Sequence, residues 1–69
     1  MKYKITSNFG TYYIIETNPS KARYKFSDLL SKKDNIPRSE VYENITKTEE
    51  DLYFSDGNIQ FLDEDLINN

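Results

Sequence analysis

The sequence has no cysteine, no histidine and no tryptophan among its 69 residues, and only two glycines and two prolines. The absence of cysteine excludes disulfides and thiolate metal sites, and the absence of histidine removes the commonest metal ligand and general base. Two isolated glycines do not make a loop that cradles phosphate. These absences indicate a non-enzymatic protein with no cofactor and no metal. A chain of this length is expected to form one small domain over residues 1–69, with frayed last residues.

Long apolar runs are missing as well. No segment approaches the roughly 18 apolar residues that span a bilayer. The charged N-terminal residues are not followed by the apolar stretch of a signal peptide. Together with the lack of cysteine, this predicts a cytoplasmic protein with no membrane partner.

Aromatic side chains are the main apolar resource of the chain, with six tyrosines and four phenylalanines. Each buried aromatic side chain removes about 150–250 Å² from water. A small domain without disulfides or metals depends on such burial for its stability. We therefore expect most of the aromatic residues to lie in or near the core.

Charge is divided unevenly along the chain. Residues 1–38 carry eight lysines and arginines against three acids, a net charge of +5, whereas residues 39–69 carry one lysine against nine acids, a net charge of −8. Such asymmetry bears on the choice of partners and not on the fold.

Two runs of three acids, with a further acid between them, dominate the C-terminal half. They are Glu49, Glu50, Asp51, Asp56, Asp63, Glu64 and Asp65. They could simply keep the protein soluble, or they could contact a basic surface of a partner. A third interpretation pairs them with the basic half, within one chain or between copies.

The N-terminal segment is typical of a β-hairpin. Residues 2–6 alternate apolar and charged side chains, residues 11–17 are rich in β-branched and aromatic types, and Gly10 can take a positive φ in the turn between them.

A helix is predicted to follow, because Asn18 is a favoured N-cap and Pro19 suits the first helical position. Its apolar face is predicted to contain Ala22, Phe26, Leu29 and Leu30, and its end to lie at residues 31–33. An alternative basic face comprises Lys21, Arg23, Lys25 and Lys32.

Pro37 ends the linker after that helix, and we expect a short helix over residues 38–44 and a strand over residues 45–49. Val41 and Ile45 are four residues apart, which suits a helix, but Val41, Glu43 and Ile45 also alternate, which suits a strand. Asp56-Gly57, between apolar runs at residues 52–54 and 59–62, predicts a second hairpin. The fold class is therefore α+β, with an N-terminal hairpin and a C-terminal strand and hairpin forming a small antiparallel sheet packed on one amphipathic helix.

Residues 11–16 (TYYIIE) followed by residues 21–25 (KARYK) resemble small uncharacterised proteins of phages and prophages of low-GC Gram-positive bacteria. The resemblance covers about a quarter of the chain and implies a phage-type accessory protein in the host cytoplasm. Small acidic phage proteins are often inhibitors of host nucleic-acid enzymes or defence systems, some of them by mimicking DNA.

Three functional hypotheses follow. The first is a protein that binds and inhibits a host protein, a nucleic-acid-handling or defence enzyme, through its acidic half. The second is a nucleic-acid binder that uses the basic helix at residues 19–33, with Lys33, Arg38 and a stacked Tyr12 or Tyr24. The net negative charge argues against it. The third is a self-associating domain, a homo-oligomer in which basic and acidic halves meet.

Overall fold

The fold is a three-stranded antiparallel sheet with helices packed against it. A computed structural model of the protein describes residues 1–51 and 57–62. The elements in chain order are β1 (Lys2–Ser7), β2 (Gly10–Ile15), α1 (Pro19–Asp34), α2 (Arg38–Glu43) and β3 (Ile45–Glu50). The strand order is β2-β1-β3, so β1 lies in the centre. This architecture confirms the predicted α+β class.

The β1–β2 hairpin closes with Ser7 opposite Gly10. Gly10 has a φ of 129°, and a Cβ there would lie 3.3 Å from the Tyr12 ring. The Ser7 hydroxyl donates to the Gly10 carbonyl at 2.9 Å and accepts from the Phe9 N–H at 3.1 Å, which fixes the turn. The predicted hairpin is thus confirmed, although β2 ends at Ile15, two residues before the expected boundary.

Helix α1 begins as the sequence predicts. The Asn18 side chain accepts a hydrogen bond from the Lys21 N–H at 2.9 Å, and Pro19 occupies the first turn. Asn35 takes the left-handed conformation, with φ 56° and ψ 46°, and its N–H donates to the Ser31 carbonyl. Because this cap satisfies the last turn, the helix extends to Asp34.

The core lies between α1 and one face of the sheet. Eight apolar residues, none more than 2 % exposed, form it: Tyr3, Ile5, Ile14, Ala22, Phe26, Leu30, Val41 and Leu62. Leu29, the fourth residue of the predicted helix face, is partly buried and packs against this cluster. Burying a large apolar side chain contributes about 1.5–3 kcal/mol, so this cluster is the main source of stability.

Helix α2 and strand β3 occupy the segments predicted for them. Val41 is the buried residue of α2, which explains why a six-residue helix is held in place. Strand β3 pairs with β1 and not with β2, and its register shifts by one residue between Thr6 and Ser7. The basic N-terminal strand and the acidic third strand are therefore neighbours.

The predicted second hairpin differs from the structure where the chain is described. Its first strand, at residues 52–54, and Asp56 lie outside the described residues, whereas Gly57 lies in a turn. Residues 59–62 are not a strand: Phe61 makes a single parallel bridge with Tyr13, whose N–H donates to the Gln60 carbonyl at 2.9 Å. The apolar run instead places Phe61 against Tyr13 and Leu62 in the core.

Candidate functional site

The first acidic run, Glu49 to Asp51, is divided by the period of strand β3. Successive side chains of a strand point to opposite faces, so Glu49 and Asp51 lie on the face away from α1, opposite to Glu50. Glu49 lies 3.4 Å from the Lys4 ammonium and 3.6 Å from that of Lys47. The Glu49 carboxylate is thus engaged within the sheet.

Asp51 belongs to a cluster on the outer face of the sheet. Its Oδ2 accepts a hydrogen bond from the Tyr13 hydroxyl at 2.8 Å. The Tyr13 ring lies 5.4 Å from the Phe61 ring, and the Lys2 ammonium lies 4.2 Å from the Tyr13 centroid. Since Tyr13 is 2 % exposed and Lys2 is 5 % exposed, this cluster is a second, partly polar core and not an open site.

Glu50 is the exposed member of the run. Its carboxylate and the burial of Tyr3 act together on the Tyr3 hydroxyl. Burial is the larger cause, and both raise the pKa of Tyr3 above its usual value because both disfavour the phenolate.

The rest of the exposed acidic surface in the described part of the chain includes Glu40 and Glu43 on α2. The acids predicted at Asp56, Asp63, Glu64 and Asp65 lie outside the described residues. The structure therefore adds two carboxylates that the sequence did not single out.

The alternative basic face is largely used in local contacts. Arg23 donates to the Ser20 hydroxyl at 3.3 Å, and the Lys25 ammonium donates to the Ile15 carbonyl at 3.1 Å. Lys32 pairs with Asp28 at 3.1 Å. Lys21 is exposed.

The two tyrosines proposed for stacking have different surroundings. Tyr12 is half-buried, with its ring 6.1 Å from that of Phe26 and 5.1 Å from the Lys33 ammonium. Tyr24, by contrast, is 65 % exposed. Of these two tyrosines, Tyr24 is the one that is exposed to a ligand.

A groove lies between α1 and α2, and Tyr24 forms one wall. Tyr42 lies beside it, and the two rings are in contact, with their centroids 5.4 Å apart and their planes inclined by 37°. The groove has a volume of about 280 Å³ and is lined by Tyr24, Ser27, Arg38, Ser39, Tyr42 and Glu43. We call this surface the tyrosine groove.

Local sequence explains the tyrosine groove. Tyr24 and Ser27 are three apart on α1, and Arg38 and Tyr42 are four apart on α2, spacings that put each pair on one helix face. Ser27 and Ser39 are small, so they leave space between the two helices. The Arg38 guanidinium lies 3.7 Å from the Asp28 carboxylate and links the helices at one end.

Sequence reasoning identified Tyr24 but missed Tyr42. The available signal was the spacing of Arg38 and Tyr42 on a short helix. That segment also fitted a strand, in which these residues would not have shared a wall. The choice between the two depended on the packing of Val41 against α1, which is a tertiary contact.

Within residues 1–51 and 57–62, no group of three or more acidic side chains is arranged to hold a metal ion. The same residues include no helix of the length and apolarity needed to cross a membrane. No protein-family model, curated protein or solved structure matches the chain.

Proposed function

We propose that this chain is a small, non-enzymatic, cytoplasmic protein that binds a partner protein with a basic surface, and that the tyrosine groove is the centre of the contact. The observation that carries the proposal is the pair of exposed tyrosines, Tyr24 and Tyr42, in a groove with a carboxylate on its wall.

The tyrosine pair has the properties of an interface hot spot. Tyr24 is 65 % exposed and Tyr42 is 38 % exposed, so neither ring is committed to the core. Tyrosine gives a large contact area for the loss of few rotatable bonds, and it is enriched among residues that dominate binding energy. Truncating one such residue typically costs at least about 2 kcal/mol of binding free energy.

The tyrosine rings and Glu43 suit a cationic side chain of the partner, because Arg38, the cation that also lines the tyrosine groove, lies 3.7 Å from the Asp28 carboxylate. An arginine or lysine over a tyrosine ring gains a cation–π interaction, and Glu43 on the same wall would supply a carboxylate. The net charge of −8 on residues 39–69 would attract a basic protein at longer range.

The carboxylates that we expect to contact the partner are those of α2 and not those of the first acidic run at residues 49–51. Glu49 and Asp51 already have partners in the sheet, whereas Glu43 lines the tyrosine groove and Glu40 is exposed on the same helix. The resemblance of residues 11–25 to phage proteins supports the finer proposal that the partner is a host nucleic-acid-handling or defence enzyme and that binding inhibits it.

Quantitative affinity purification from bacterial lysate tests the proposal. The amount of partner recovered should be at least tenfold lower with the double variant Y24A/Y42A than with the natural chain. The charge variant E40K/E43K should show a loss of the same size. Ile15→Ala is the matched control, because Ile15 is also exposed, at 53 %, but lies on β2. A partner retained by both groove variants, or lost equally by the control, would contradict the proposal.

A second candidate, nucleic-acid binding, is favoured by one observation: the exposed Tyr24 lies one helical turn from the exposed Lys21. An electrophoretic shift at low salt distinguishes the two. A shift that Tyr24→Ala abolishes would favour this candidate, and no shift at micromolar protein would dismiss it.

A further inference from the structure

Strand β3 forms one edge of the sheet. In the strand order β2-β1-β3, no strand among the described residues pairs with its outer side. Residues 60–61 run along the opposite edge, beside β2. An edge strand presents unpaired N–H and C=O groups that can pair with another chain.

The direction of each backbone group of β3 follows from the ladder to β1. The Asp51 N–H donates to the Lys2 carbonyl at 2.9 Å, so residue 51 faces β1. In an antiparallel ladder, hydrogen-bonded and non-hydrogen-bonded residue pairs alternate. Glu49, opposite Lys4, is therefore in a hydrogen-bonded pair, whereas Thr48, opposite Ile5, is in a non-hydrogen-bonded pair. The N–H and C=O of Thr48 and Glu50 therefore point outward.

The side chains of β3 are complementary to a second copy of the same strand. Two β3 strands can pair antiparallel with a two-fold axis at Thr48. Thr48 then lies opposite Thr48 of the second copy in a hydrogen-bonded pair. Lys47 then faces Glu49 of the second copy in a non-bonded pair, the kind that brings side chains closest. Shifting the centre by one residue would instead place Lys47 opposite Lys47 or Glu49 opposite Glu49, and like charges would repel.

We infer that the protein self-associates as a symmetric dimer through its β3 edges, which joins the two sheets into one of six strands. Each dimer contains two intermolecular Lys47–Glu49 pairs in addition to the pair that these residues make within one chain at 3.6 Å, because their side chains remain 66 % and 39 % exposed there. The inference is independent of the tyrosine groove, which involves α1 and α2. The contact is a single strand pair, smaller than a standard protein interface, so the dimer should be weak and should dissociate with dilution and with salt.

The decisive experiment mixes two single variants. Lys47→Glu and Glu49→Lys each replace both intermolecular pairs with like charges, so each alone should dimerise at least tenfold more weakly than the natural chain. The Lys47→Glu chain carries glutamate at both positions, and the Glu49→Lys chain carries lysine at both. In an equimolar mixture of the two, both intermolecular contacts therefore join opposite charges, and a heterodimer should form. Sedimentation equilibrium at several concentrations measures all three.

Thr48→Pro provides a test through the backbone. Proline removes the outward N–H but none of the hydrogen bonds to β1, and it is tolerated on edge strands. Circular dichroism should show the fold retained and sedimentation should show a monomer. A natural chain that stays monomeric up to millimolar concentration, a dimer that survives Thr48→Pro, or a mixture no more associated than its components would each overturn the inference.

Discussion

The outer face of the sheet and the tyrosine groove both combine tyrosine with charged side chains, yet they differ in what those groups do. On the sheet, Tyr13 is 2 % exposed and its hydroxyl is bound to Asp51 at 2.8 Å. In the tyrosine groove, Tyr24 is 65 % exposed and rests against Tyr42. Residue type alone therefore does not distinguish the two regions, whereas the exposed fraction of the tyrosine side chain does. Side chains already satisfied within the fold stabilise it, and exposed ones are available to a partner.

The largest expected effect is that of Tyr13→Ala, compared with Tyr24→Ala. Removing the buried Tyr13 ring leaves a cavity beside Lys2 and Phe61 and should lower the free energy of unfolding by about 3–5 kcal/mol. Tyr24→Ala removes one exposed aromatic pair, a loss of about 0.5–1.5 kcal/mol. Urea denaturation followed by circular dichroism measures both. Equal losses for the two variants would remove the distinction between the regions.

Tyr13→Phe isolates the hydrogen bond on the sheet face. The ring remains in place, but Asp51 loses the hydroxyl that donates to it, so stability should fall by about 1–3 kcal/mol. Tyr42→Phe is the control in the tyrosine groove and should leave the urea midpoint nearly unchanged. A Tyr13→Phe variant as stable as the natural chain would mean that Asp51 contributes little to the sheet.

A smaller effect is expected at alkaline pH. The pKa of Tyr3 is raised in the folded state, chiefly by burial and also by Glu50. The folded chain therefore holds this proton when the unfolded chain has lost it, and stability is complete below about pH 10, the usual tyrosine pKa, and falls as the pH rises above it. Tyr3→Phe should reduce this loss.

Urea titrations at neutral pH and above pH 10 test this behaviour, with Tyr24→Phe as the exposed control. The control should show the same alkaline loss as the natural chain. If Tyr3→Phe shows it too, ionisation of Tyr3 is not its source.

The smallest effect is that of Glu49→Gln, which removes the pairing with Lys4 and Lys47 on a partly exposed face. Such pairs contribute about 0.2–1 kcal/mol, and salt screens them. We expect a small drop in the urea midpoint that disappears at high salt. Glu43→Gln, at an exposed position in the last turn of α2, where the helix dipole does not favour a carboxylate, should show no drop in either condition.

Most of the secondary structure could be predicted because its signals are local. The Asn18-Pro19 start of α1, the glycine in the first turn and the apolar face at Ala22 and Phe26 each depend on residues a few positions apart. The hairpin predicted at Asp56-Gly57 shows the limit of such signals. In the described residues, the apolar run at residues 59–62 does not form a strand. Leu62 packs in the core and Phe61 packs against Tyr13 on the outer face.

The candidate site could be predicted only in part. The acidic residues at 49–51 were found as a run in the sequence, but a run is not a surface when a strand turns alternate side chains to opposite faces. Tyr24 was recognised as a possible contact residue beside basic neighbours. Its actual neighbour, Tyr42, comes from another helix, and no local pattern joins them.

The sequence by itself determined the α+β class, the start and the amphipathic face of α1, and the division of charge along the chain. Tertiary structure decided that β1 lies between β2 and β3, that the basic first strand neutralises part of the acidic third, and that Tyr24 and Tyr42 share a groove. The physical reason is that capping, turn formation and helix periodicity depend on neighbouring residues. Strand order and helix packing depend on which distant segments together bury the most apolar surface and satisfy the most polar groups.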